Sequence, residues 1–139
     1  MTDLASWLRV QFDEEQRLAE RAIKASGGRI WTADENGIFP QDDPSNHPGA
    51  FLADAYGCTD PGYGFHIARW DPARVLAEID AKRRILDLHT GGHECSGYDH
   101  QGEIDRCRYY HDFEICSTVR LVAVPYAGRP GWQEQWGVA

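Results

Sequence analysis

Leu4, Trp7, Leu8, Phe12, Leu18, Ala22 and Ile23 recur at three- and four-residue spacing, the pattern of one buried helix face. They predict an amphipathic helix over residues 3–25. Asp13, Glu14, Glu15, Arg17, Glu20, Arg21 and Lys24 fill its solvated side, and Ser26, Gly27 and Gly28 end it. A second stripe, Val75, Ile79, Lys82, Leu86 and His89, is widened by Leu76 and Ile85 and predicts a central helix over residues 65–89. Asp71 suits its N-cap and Pro72 its first turn, where the missing N–H has no partner in any case. Phe65, His66, Ile67 and Trp70 lead into it, with a break at Pro72, and Gly91 and Gly92 stop it.

Alternation replaces helical spacing between the two helices. Arg29 to Ala33 and Ile38 to Phe39 flank Asp34-Glu35-Asn36-Gly37, and Asn-Gly between β-prone residues signals a hairpin. Pro40 to Gly49 reads as an exposed loop, and residues 50–56 suit either a third strand or irregular backbone. After Cys116, Ser117 or Thr118 can cap a short C-terminal helix through Val119, Leu121, Val122 and Val124, although the β-branched residues would equally suit a strand, and Pro125 ends either. Trp132 and Trp136, in the tail, either fold back on the core or form a protein-contact patch. The expected fold class is α+β. A single domain over 1–139 packs the long N-terminal helix on the central helix, adds a small antiparallel hairpin (29–64), and uses the loop 90–116 to pin the C-terminal helix and tail (117–139).

Size and charge narrow the function classes. A chain of 139 residues can bury a core as one domain. The start has no signal-peptide pattern, and no run approaches the ~20 apolar residues of a membrane span, so the reading is a cytoplasmic protein without a membrane partner. A net charge of -8 repels nucleic acid in bulk. A protein partner is therefore favoured over nucleic acid, and no small-molecule substrate is indicated.

The candidate chemistry lies between residues 89 and 116, which hold three of the four cysteines and four of the six histidines. Thiolate and imidazole are the ligands zinc prefers, and a structural site takes four of them. The simplest set is His89, Cys95, Cys107 and Cys116, with His93, His100 and His111 as substitutes. Zinc is thus the expected cofactor, and Cys58 stands apart from it. The plainer alternative is three free thiols and four surface histidines in a polar loop. Disulfides fit poorly in a chain without an export signal.

Catalysis has no motif behind it, and no catalytic residue is assigned. His93-Glu94 begins a zincin pattern, but the second histidine position holds Gly97. The zinc deaminase pattern fails too, because no Pro-Cys-x-x-Cys follows. A metal-dependent hydrolase or nuclease with an open zinc position remains the alternative. A further alternative is nucleic-acid binding through helix 69–84, where Arg69, Arg74, Lys82, Arg83 and Arg84 cluster. Interleaved Asp71, Glu78 and Asp80 favour a salt-bridged solvent face.

The run His66-Ile67-Ala68-Arg69-Trp70-Asp71-Pro72-Ala73-Arg74-Val75-Leu76 and the run Cys116-Ser117-Thr118-Val119-Arg120-Leu121-Val122-Ala123-Val124-Pro125-Tyr126-Ala127 resemble the signatures of one family. It is a family of small proteins of unknown function, spread through actinobacteria and their phages. The resemblance implies a cysteine pair between a histidine matching His89 and a cysteine matching Cys116. Cys107 occupies the second place of that pair, whereas Ile104 stands in the first. That leaves Cys95, His93, His100 or His111 to complete the set, of which Cys95 is chosen. Trp70 stands where the family usually has histidine. The family implies no activity; with a closed zinc site, the expected function is a non-catalytic accessory or regulatory protein that binds another protein.

Overall fold

A computed structural model describes residues 3–35, 37–41, 53–54, 62–98 and 101–137, with side chains omitted at 53, 54, 106 and 107. The elements run α1 (Leu4–Ser26), β1 (Trp31–Ala33), β2 (Gly37–Pro40), β3 (Ala53–Asp54), α2 (Gly62–Arg69), α3 (Pro72–Leu88), β4 (His93–Tyr98), β5 (Ile104–Tyr110) and α4 (Ser117–Ala123). Two short 3-10 turns follow, Val124–Tyr126 and Glu134–Trp136. The architecture is α+β, with small antiparallel sheets and a long N-terminal helix. Among the described residues, no helix is long and apolar enough to cross a membrane.

The chain divides into two compact units. One is built from residues up to Asp13 and from Asp80 onward, and the other from Glu14–Ile79.

In the second unit, β1, β2 and β3 form an antiparallel sheet in that order, with Ala33 opposite Ile38 and Ile38 opposite Ala53. Asp34 shapes the first turn: its backbone N–H donates to Gly37 O and its carboxylate accepts from Gly37 N. Helix α2 lies against β1 and β2, where a Cβ at Gly64 would sit 3.7 Å from Ala33 and Ile38. The region read as one central helix is therefore two. Pro72 cannot donate to the preceding turn, so α2 ends before it and α3 restarts with the Asp71 carboxylate accepting from Arg74 N at 2.8 Å. His66, on α2, is exposed.

In the first unit, Leu4, Trp7, Leu8 and Phe12 of α1 are buried, as are Leu86 of α3 and Val119 and Ala123 of α4. Arg9 pairs with Asp87 and Arg83 with Asp13, both at the surface. The C-terminal tail folds back onto α1. Trp136 is only 2% exposed, and the Trp7 ring lies 5.3 Å from Trp136 and 5.7 Å from Trp132, with its Nε1 donating to Pro130 O. The two tail tryptophans thus fill a core, and Trp132 is half-buried. Tyr126, also buried, packs edge-on against Phe12 and accepts from Lys82 Nζ at 3.0 Å.

The stretch 90–116 is not a loop throughout. Residues 93–98 and 104–110 pair as an antiparallel hairpin, with His93 opposite Tyr110, Cys95 opposite Arg108, and a register irregularity between Cys95 and Gly97. Its inward positions carry histidine, cysteine and glycine rather than branched apolar residues, so the two-residue hydrophobic alternation that marks a strand is absent.

Candidate metal centre

His89 closes the last turn of α3, its N–H donating to Ile85 O and Leu86 O. Gly91 then takes a φ of +81°, a conformation glycine adopts without strain, and the chain reverses into β4. In a strand, residues two apart share a face, so His93 and Cys95 point the same way. The His93 ring stacks on its cross-strand partner Tyr110, centroids 5.6 Å apart.

Cys116 arrives from the other end of the segment as the residue preceding α4, with extended backbone. Helix α4 is tied to the hairpin by Ser117, whose Oγ accepts from Tyr98 N at 3.3 Å and lies 3.4 Å from Tyr110 Oη. That approach depends on Gly97, because a Cβ there would strike Tyr110 Oη. Cys116 is thereby held against the hairpin, fully buried.

The result is a cluster of His89, His93, Cys95 and Cys116, whose donor atoms all lie within 4.8 Å of one another. Cys95 Sγ is 3.3 Å from His93 Nε2, and Cys116 Sγ is 3.7 Å from His89 Nδ1. A tetrahedral ion bound at ~2.0–2.1 Å by nitrogen and ~2.3 Å by sulfur separates neighbouring donors by roughly 3.3–3.8 Å. These two distances fit that polyhedron, and the widest separation closes with about 1 Å of adjustment. A second contact orients one ligand: His93 Nδ1 lies 2.7 Å from Gly91 O, and since a carbonyl only accepts, Nδ1 carries the proton. The lone pair of a neutral His93 ring is then on Nε2, facing the cluster, the arrangement by which outer contacts set the tautomer of ligating histidines.

Two groups of the cluster are shifted by their burial. Burial, and after it the charge of nearby His93, holds His89 below the usual imidazole value, keeping it neutral at pH 7. Burial, with the neighbouring Cys116 adding charge and a hydrogen bond, pushes the Cys95 thiol up to about 11. A metal ion bound by Cys95 would have to stabilise its thiolate against that burial. The residues present fit a metal ion.

The structure therefore brings together His89, Cys95 and Cys116 with His93. Cys107 lies in β5, its side chain outside the described residues, as are His100 and Cys58. His111 is exposed beyond the strand end and is not part of the cluster. The signal for His93 was the His-x-Cys spacing, which becomes a two-ligand face once the segment is read as a strand.

No curated protein and no solved structure matches the chain. One family model does, over residues 1–138, described as a family of unknown function (DUF6221). The chain belongs to that family.

Proposed function

We propose that the protein is stabilised by a structural zinc ion held by His89, His93, Cys95 and Cys116, and that it acts without catalysis by binding another protein in an accessory or regulatory role. The observation that carries the zinc reading is the convergence of two thiols and two imidazoles within 4.8 Å. This donor set suits zinc, and four protein ligands leave no position for substrate or water, which separates structural from catalytic sites. Cys95 and Cys116 are free thiols, a state that a reducing compartment favours, which supports a cytoplasmic setting. Two of the arginines weighed for nucleic-acid binding are paired along α3 itself, Arg74 with Glu78 and Arg84 with Asp80, which favours the reading of a salt-bridged solvent face.

The test is elemental analysis of protein purified without chelator or metal-affinity resin, alongside the variant Cys116→Ser. One zinc per chain is expected for the parent. In the variant we expect loss of metal and a fall in Tm of roughly 10 °C or more, for a loss of ~3 kcal/mol or above. Unchanged metal content in Cys116→Ser would remove this cysteine from the set, and metal-free parent protein would end the zinc reading.

A further inference from the structure

Beyond the metal cluster, the hairpin presents a row of rings to solvent. Tyr109, His111 and Phe113 alternate along the chain as it leaves β5. The His111 ring lies 5.1 Å from Tyr109 and stacks on Phe113 at 5.5 Å, with 5° between planes. Phe113 is 85% exposed and Tyr109 52% exposed. Such a row loses hydration energy only when something covers it.

The charges around the row decide what can cover it. Glu94 is the cross-strand partner of Tyr109 and is exposed. Asp112, between the two outer rings in sequence, reaches back over Gly91 and Gly92, where Tyr109 Oη also lies. Neither carboxylate has an ion-pair partner among the described residues, whereas Asp13, Glu14, Glu78, Asp80, Asp87 and Glu114 each have an arginine. Residues 93–115 carry six acidic residues against two arginines. A nucleic acid or a second copy of this acidic chain meets repulsion here. An arginine side chain meets attraction twice, since its guanidinium stacks on an aromatic face and forks onto a carboxylate.

We infer that the Tyr109–His111–Phe113 row, with Glu94 and Asp112 beside it, is the docking surface for an arginine-bearing segment of a partner protein. The inference rests on the protein-binding reading and gives that partner a chemistry. The rings offer stacking platforms, and the flanking carboxylates set orientation and exclude anionic competitors.

The experiment is a nuclear magnetic resonance titration of the full chain, purified as above, with a decapeptide of alternating arginine and serine. A peptide with glutamine in place of arginine is the control. The expected result is shifts centred on residues 94 and 109–114 with the arginine peptide and none with the control. Phe113→Ala and Tyr109→Ala should each weaken binding about two- to five-fold, and more in combination, while Glu14→Gln on α1 leaves it unchanged. Phe113 is so exposed that its removal leaves the fold intact, which zinc content and Tm verify. Shifts elsewhere, no binding at low salt, or equal affinity in the ring variants would overturn the proposal. Docking of the glutamine peptide at the same rings would overturn the arginine chemistry while keeping a protein-binding role. Zinc content, measured on the same samples, separates failure of this surface from failure of the metal clasp.

Discussion

Asp3 shows how one side chain sets both a boundary and a pH response. Its carboxylate accepts from Ser6 N at 2.8 Å and from Ser6 Oγ at 2.9 Å, which makes it the N-cap of α1. The backbone hydrogen bond from Ser6 is the main cause of its lowered pKa, outweighing the opposing effect of burial. A carboxylate whose folded pKa lies below its unfolded value contributes stability above the unfolded pKa and loses it as pH falls through the folded one. Asp3→Ala is therefore expected to cost about 1 kcal/mol at pH 7, and the difference from the parent should vanish below the folded-state pKa of Asp3. Urea melts of both proteins between pH 2 and 7 check this, and a gap that persists in acid would show the cap is not acting through charge. The caps differ in how legible they were in the sequence. Asp71-Pro72 announces a helix start by local chemistry alone, whereas the N-cap of α4 is Cys116, with no side-chain cap bond, and not Ser117 or Thr118 as the sequence suggests.

The hairpin β4–β5 was the least legible of the elements, and it is the one that makes the site. A strand whose inner face is His93, Cys95 and Gly97 carries no apolar period, so composition alone suggested a loop with ligands in any order. Once the strand is known, the spacing of His93 and Cys95 becomes informative, while the side chain of Cys107 lies outside the described residues. The long helices were legible because their buried positions are apolar and periodic, Leu4, Leu8 and Phe12 on α1 and Ile79 and Leu86 on α3. Gly97 supplies the test at this scale. Its missing side chain lets Tyr110 reach Ser117, and Tyr110 in turn backs the His93 ring. Gly97→Ala should displace Tyr110, costing about 1–3 kcal/mol from overpacking, and should weaken metal binding although no ligand is altered. Metal affinity by competition with a chromophoric chelator measures the second effect; unchanged affinity would show that Tyr110 does not position His93.

For the molecule as a whole, the proposed zinc site links metal binding to protons. With the Cys95 thiol raised to about 11 by burial and by Cys116, zinc added to metal-free protein at pH 7 must displace at least one proton per ion. Calorimetry in buffers of different ionisation enthalpy counts it, and binding without proton release would exclude Cys95 as a thiolate ligand. Metal affinity should accordingly fall as pH is lowered. A different consequence follows from the tail that returns to α1. The indole of Trp7 bonds to Pro130, 123 positions away, and its ring packs on Trp136. During synthesis, Trp7 leaves the ribosome long before the residues that cover it exist. At ~5–20 residues per second the wait lasts roughly 6–25 seconds. For that interval the apolar face of α1 has no tail to shelter it. The arrival of Trp136 ends that exposure.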